Sequence, residues 1–154
     1  WGGITERREK KGDPPPSTPP PVTTPSGCFV GETLVDAVIG PIPIGRIKAG
    51  DVVIVPSGRA TVTDVFSAVR DDLVEVETDG ATIHCSPTHR FAVRGGWTEA
   101  RDLKTGDLLI YGQVVQDVKS YPGTYWVHNF DIDHPSHSYL VSGHLVHNYK
   151  SPED

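Results

Sequence analysis

The chain has 154 residues, and 20 acidic against 14 basic side chains leave a formal charge of −6 with seven histidines counted neutral, about one ordinary domain. No apolar run approaches the roughly 18 residues needed to cross a bilayer, and no basic-then-apolar leader opens the chain. No Lys/Arg block exceeds a pair (Arg7-Arg8, Lys10-Lys11), so neither a membrane nor a nucleic-acid backbone is an expected partner. Methionine is absent and the first residue is Trp1, so the sequence reads as a piece of a longer polypeptide. Cys28 and Cys85 can form at most one bridge, too few for a disulfide framework, and leave the redox compartment open.

Residues 1 to 27 carry Glu6, Arg7, Arg8, Glu9, Lys10 and Lys11, then seven of the fourteen prolines between positions 14 and 25. Such a composition cannot bury a core. It reads as an extended polyproline tether, either a plain linker or a proline-recognition ligand. From Cys28 onward the chain breaks into short β-branched and aromatic runs bounded by Gly, Pro or Asp: 51–55, 60–66, 72–78, 81–85, 90–94, 107–111, 113–118, 125–132 and 138–141. This is an all-β pattern. Asp79-Gly80 predicts a type I′ hairpin, because both central positions of that turn favour positive φ. Only Thr98 to Leu103 reads as a helical turn. A core of about 120 residues buries close to two-thirds of its unfolded surface and can fold alone.

Sliding the chain against itself by 56 lays Ile47-Lys48-Ala49-Gly50-Asp51-Val52-Val53-Ile54 over Leu103-Lys104-Thr105-Gly106-Asp107-Leu108-Leu109-Ile110. In both copies a Gly-Asp turn feeds an apolar strand, which predicts one β-unit used twice in a two-lobed domain. The match in sequence fades beyond this block.

Three segments can carry chemistry. In Gly27-Cys28-Phe29-Val30-Gly31 the thiol stands where tether meets fold, and its sulfur can reach the preceding carbonyl carbon, turning the Gly27-Cys28 peptide into a thioester. A small buried hydrophobe is the plainer role for such a cysteine. In Ser86-Pro87-Thr88-His89 a hydroxyl and an imidazole lie three residues apart across a turn. Together they can polarise and protonate an amide nitrogen, although for that spacing alone a surface histidine is the commoner explanation. His84 and Cys85 read as strand positions. The run from Val127 to Tyr149 holds five of the seven histidines and ends His147-Asn148-Tyr149. An asparagine carboxamide can close on its own carbonyl as a succinimide, with His147 donating to the oxyanion or the leaving amine.

The order of these segments resembles the Hint domains shared by inteins and Hedgehog-type autoprocessing proteins. Cys28 to Thr33 (CFVGET) resembles the first splicing block, and Ile83 to Val93 (IHCSPTHRFAV) the second, with Ser86 for the usual threonine. Trp97 to Ile110 is similar to the segment that follows in bacterial members. Val127 to Leu140, with Val141 to Asn148, resembles the two C-terminal blocks. The resemblance implies a two-lobed, horseshoe-like all-β fold over 28–148, flanked by a linker (1–27) and a C-terminal segment (149–154). It implies Cys28 as acyl-shift nucleophile, Ser86 and His89 as activators of the Gly27-Cys28 bond, Asn148 as the cyclising residue, and His137 beside His147 as its helpers. Asn129 stands where many inteins carry aspartate or cysteine, so a titratable group is missing there.

Tyr149 departs from the pattern, since splicing by the standard route needs Cys, Ser or Thr after the asparagine. Cleavage at one or both junctions is therefore expected rather than efficient splicing. The expected partners are the chain's own flanks, acted on by a monomer without cofactor, and relatives of this kind often occur in large secreted bacterial proteins, including toxins. Two other readings stay open: an inert β-scaffold displaying its flanks, and a zinc site drawn from Asp131, Asp133, His134, His137, His144 and His147.

Overall fold

The computed structural model describes Cys28 to His147; Gly27, Asn148, Tyr149 and the proline-rich tract lie outside the described residues. The strands are β1 (Phe29–Val30), β2 (Leu34–Ala37), β3 (Gly40–Pro43), β4 (Val52–Val55), β5 (Gly58–Arg70), β6 (Val74–Thr78), β7 (Thr82–Cys85), β8 (Arg90–Val93), β9 (Gly96–Glu99), β10 (Val115–Ser120), β11 (Tyr125–Ile132), β12 (Ser138–Val141) and β13 (His144–His147). They form one curled sheet in the order β10-β6-β7-β1-β11-β5-β4-β2-β12-β13-β8-β9, with β3 added to β2. No α-helix occurs among the described residues.

The 13-residue β5 joins the two lobes, because its first half pairs with β4 (Val52↔Thr61) and its second with β11 (Tyr125↔Arg70). Phe29, Val53, Phe91, Phe130, Tyr139 and Val146 lie in one continuous buried core. Each such side chain contributes on the order of 2 kcal/mol by leaving water. Cys28, Ala68, Leu73 and Val127 make a second, small cluster. Cys85 packs in the large core and Cys28 in the small one, so the two free thiols are divided between different packing environments.

The internal repeat reaches well beyond the eight-residue block. A 3₁₀ turn at Ile44–Arg46 has its twin at Ala100–Asp102, and β2-β3 have theirs in β8-β9, all at the offset of 56. Backbone bonds repeat with them: Ile44 N to Thr33 O and Ala100 N to His89 O are both 2.7 Å. In each Gly-Asp turn the aspartate caps the chain three residues back, Asp51 Oδ2 accepting from Lys48 N at 3.0 Å and Asp107 Oδ2 from Lys104 N at 2.8 Å. Gly50 and Gly106 share φ of 97°, a conformation a β-carbon resists.

Three expectations need correction. The β6-β7 hairpin forms, but neither Asp79 nor Gly80 has positive φ, so it is not a type I′ turn. The Thr78 hydroxyl replaces a backbone carbonyl there, accepting from Gly80 N at 3.0 Å and Ala81 N at 3.1 Å. Residues 107–111 make only isolated bridges (Leu108↔Val114, Val93↔Leu109), because the following strand, β10, leaves to pair with β6. The run 98–103 begins with the last two residues of β9, and its helical turn is the short 3₁₀ turn Ala100–Asp102.

Candidate active site

β1 lies between β7 and β11, with Phe29 opposite both Cys85 and His128. One step back, the register places Cys28 between Ser86 and Asn129. The pairing with Ser86 is explicit: Ser86 N donates to Cys28 O at 2.9 Å, and Cys28 N donates to Ser86 Oγ at 3.0 Å. That nitrogen belongs to the Gly27-Cys28 peptide. Cys28, Ser86 and Asn129 are all buried. Burial pushes the Cys28 thiol up to about 12, against a lowering pull from Arg70 that Asp72 partly cancels. Arg70 itself is clamped to Asp72 by two bonds of 2.8 and 2.7 Å.

The Ser86-Pro87-Thr88-His89 segment closes on itself through His89 N to Ser86 O at 3.2 Å, which turns the chain from β7 into β8. His89 is 1% exposed, its ring 4.0 Å from Phe29 and 6.2 Å from Phe91. Neither ring nitrogen has a partner of full hydrogen-bond geometry among the described residues, although the His147 backbone lies near enough to act on the ring. Burial drives its pKa down to about 3, and the charges of His147 and Arg90 push the same way, while the His147 backbone opposes them. The imidazole is therefore neutral at ordinary pH.

The other end of the described chain arrives at the same place. β13 runs between β12 (Ser138↔His147) and β8 (Val146↔Phe91), bringing His147 close enough to act on the charge of His89. The His147 ring meets Trp97 edge-on at 5.0 Å. His137 immediately precedes β12 with φ of 51°, so it flanks the exit from β13, and its buried Nδ1 has no partner among the described residues. Asn129, on β11, uses its carboxamide oxygen twice, accepting from Phe130 N at 2.8 Å and from the Tyr139 hydroxyl at 2.9 Å.

Thus the fold gathers Cys28, Ser86, His89 and Asn129 at one point and brings His147 and His137 to the adjoining exit. Tyr139, whose hydroxyl donates to Asn129, is a neighbour of this cluster that sequence reasoning misses, since within a strand pattern a tyrosine reads as an ordinary core aromatic.

Four of the six residues of the zinc reading, Asp131, Asp133, His134 and His144, are engaged by other partners. Asp131 Oδ1 accepts from Ile132 N, Asp133 Oδ1 from Thr61 N, and His134 is held between Ser57 and Ser136. His144 is a buried structural residue, with Nε2 2.8 Å from Thr78 Oγ1 and Nδ1 2.7 Å from Ser142 O. No group of three or more His, Cys, Asp or Glu among the described residues is placed to hold a metal ion.

Comparison with known proteins agrees with this architecture. A family model described as the pretoxin HINT domain matches residues 34–149. The bacterial intein-like domain from Clostridium thermocellum is 30% identical and superposes with a TM-score of 0.70 over 79% of this chain and 98% of that one. A DnaB intein from Synechocystis sp. PCC 6803 shares the fold at 19% identity, with a TM-score of 0.72 over 81% of this chain and 100% of the other. Among curated proteins, the large subunit of ribonucleoside-diphosphate reductase from Invertebrate iridescent virus 6 is 34% identical over 86 residues, 54% of this chain. The chain spans only 9% of that protein's length. With its curled all-β sheet and these matches, the chain belongs to the pretoxin Hint domain family, whose fold is the self-processing fold of inteins.

Proposed function

We propose that residues 28–148 form a single-turnover unit, acting as a monomer, that cuts the peptide bonds on either side of itself and releases residues 1–27 and 149–154. At the first junction Cys28 Sγ attacks the Gly27 carbonyl carbon. A C–S bond forms, the C–N bond breaks, and the thiol proton ends on the Cys28 nitrogen, so the step is an isomerisation to a thioester. Water then hydrolyses the thioester to a carboxylate and regenerates the thiol. At the second junction the Asn148 side-chain nitrogen attacks its own carbonyl carbon, closing a succinimide as the amine of Tyr149 leaves.

The observation that carries this reading is the hydrogen bond from Cys28 N to Ser86 Oγ, beside a buried imidazole without a partner of full hydrogen-bond geometry among the described residues. Ser86 fixes the nitrogen that must become a leaving group. His89 is the imidazole beside that nitrogen; it is neutral in the resting site and must first gain a proton before it can give one to the leaving amine. Between a thiol near 12 and an imidazole near 3, direct proton transfer is strongly uphill, which keeps the unreacted site quiet until a shift in the pocket engages it; an added thiol acts only afterwards, by capturing the thioester. At the exit, His147 and His137 supply the proton to the departing amine and steady the oxyanion. Tyr149 offers no nucleophile that can pass an acyl group to its own amine through a five-membered ring, so joining of the flanks is inefficient or absent.

The test is intact-mass analysis of the purified full chain with and without dithiothreitol. Loss of residues 1–27 that disappears in Cys28→Ala, and of 149–154 that disappears in Asn148→Ala, with neither altered by a chelator, supports the reading. A chain that keeps its full mass under thiol would defeat it.

A further inference from the structure

Residues 133–137, which carry the chain from β11 to β12, are fastened to the β4-β5 hairpin by bonds that the strand ladder does not supply. Asp133 N donates to Thr61 O at 3.0 Å, and Thr61 N donates back to the Asp133 carboxylate at 2.8 Å. The carboxylate takes the place of the backbone carbonyl that a continued β11 would present, so the chain leaves the ladder there and stays tied to it. His134 makes the next tie. Ser136 N can only donate, so His134 Nδ1 accepts from it at 3.1 Å, and in the neutral ring the proton stands on Nε2. That N–H meets the Ser57 hydroxyl, in the β4-β5 turn, at 3.0 Å. Pro135 fits the second position of the turn closed by His137 N donating to His134 O at 3.2 Å. The turn delivers His137 with φ of 51°, a conformation that a non-glycine residue keeps only when its surroundings fix it. Its Nδ1 is buried and has no partner among the described residues, so the backbone of this turn, rather than a bond to that nitrogen, aims the ring.

We propose that Ser57 and His134 are positioning residues for the second cut: their bond latches the 133–137 loop to the β4-β5 turn and so holds His137 toward the exit from β13. This rests on the reading of His137 as a helper of Asn148. β12 begins immediately after His137, with Ser138 paired to His147, so a loop that slips at the latch moves His137 against the last described residue of β13. Ser57 and His134 both stand outside the cluster around Cys28, and the effect of the latch therefore falls on one junction. A hydroxyl on the β4-β5 turn, 77 residues before its partner, thus bears on the exit while making no part of it.

The experiment uses the full chain with Ser57→Ala, Ser57→Thr, His134→Asn and the Ser57→Ala, His134→Asn pair, and follows release of 149–154 and of 1–27 by intact mass. His134→Asn keeps an acceptor for Ser136 N, as in an Asx turn, but its side chain is too short to reach Ser57. Either single loss of the bond should slow release of 149–154 about fivefold. The pair should be no slower than the singles, because both remove the same link, and Ser57→Thr should keep most of the rate. Release of 1–27 should be unchanged. In chains that also carry Asn148→Ala, the Hε1 proton resonance of His137, identified by its loss in His137→Gln, should shift or broaden in Ser57→Ala and hold its place in Ser57→Thr. Unchanged release of 149–154 in Ser57→Ala overturns the proposal, as does additive slowing in the pair, or equal slowing at both junctions with a lowered Tm, the signature of a merely structural contact. The resonance needs no cleavage: a chain whose His137 responds as expected yet never loses 149–154 would sink the proposed function and leave the latch standing, whereas an unmoved resonance overturns the latch whatever the chain cuts.

Discussion

Ser86 and Cys28 hold each other by two hydrogen bonds, backbone N to backbone O in one direction and backbone N to hydroxyl in the other. The second is a bond no ladder requires, and it grips the nitrogen at which the first cut is proposed. Ser86→Ala should slow thiol-induced release of residues 1–27 by about 10²-fold, the effect of losing one fixed polar group at a reacting centre. Ser86→Thr, which restores the hydroxyl, should recover most of the rate. Equal rates in serine and alanine forms would remove Ser86 from the site.

His89 and His128 are both held below their ordinary pKa by burial, to about 3 and about 4. In the unfolded chain each titrates near 6.5, so between that pH and the folded value the unfolded state binds more protons. Their contribution to stability is therefore complete above pH 6.5 and is lost as pH falls below it, at about 1.4 kcal/mol per pH unit for the fully buried His89. Urea midpoints measured from pH 7.5 to 4.5 should fall accordingly, and His128→Gln should flatten the slope. A flat stability profile over that range would contradict the neutral, buried state of these rings.

Gly50 and Gly106 occupy twin turns with the same φ of 97°, and a β-carbon added at either meets nothing within 4 Å. The cost of alanine there is conformational rather than steric. Gly50→Ala and Gly106→Ala should each destabilise by about 1–2 kcal/mol and by matching amounts, read as shifts in thermal midpoint. Unequal costs would show that the two lobes strain the turn differently.

Tyr149→Cys should change the outcome at the exit rather than its rate. A thiol after Asn148 can take the acyl group from Cys28 and then pass it to its own amine. Joined flanks, residues 1–27 linked to 149–154, should appear in the mass spectrum of this variant and vanish when Cys28 is also replaced. Their absence would place the block to splicing elsewhere than at Tyr149.

Trp97 contacts His147 edge-on at 5.0 Å from the edge strand β9. Trp97→Ala should slow release of 149–154 a few-fold, since an aromatic pair of this kind is worth about 1 kcal/mol. The N-terminal reaction should keep its rate. Slowing at the N-terminal junction instead would mean that Trp97 supports the whole site.

Some of this molecule can be read directly from its letters. β11 and β12 fall at 125–132 and 138–141 as expected, because Gly, Pro and Asp bound an alternating apolar pattern on both sides. Residues 107–111 carry the same pattern as 51–55, yet only the first copy becomes a strand. The difference lies in a partner elsewhere: β5 folds back on β4, whereas β10 departs to β6. β5 runs past 66 to Arg70 because β11 pairs along it, a long-range cause that its local composition does not express. At the site, Cys28, Ser86 and His89 are suggested by chemistry and spacing. Tyr139 is not, since only the tertiary contact to Asn129 distinguishes its hydroxyl from that of any core tyrosine.

Phe29 packs at a tilt against His89, and His147 acts on the same imidazole, so the described chain enters and leaves the fold beside one ring. A domain tied in this way behaves as a closed bight in a rope. Whatever polypeptide surrounds it is drawn together at the neck, and inserting or excising the bight need not displace the strands of rope on either side. Such a unit can be lodged between unrelated neighbours without either having to fold around it.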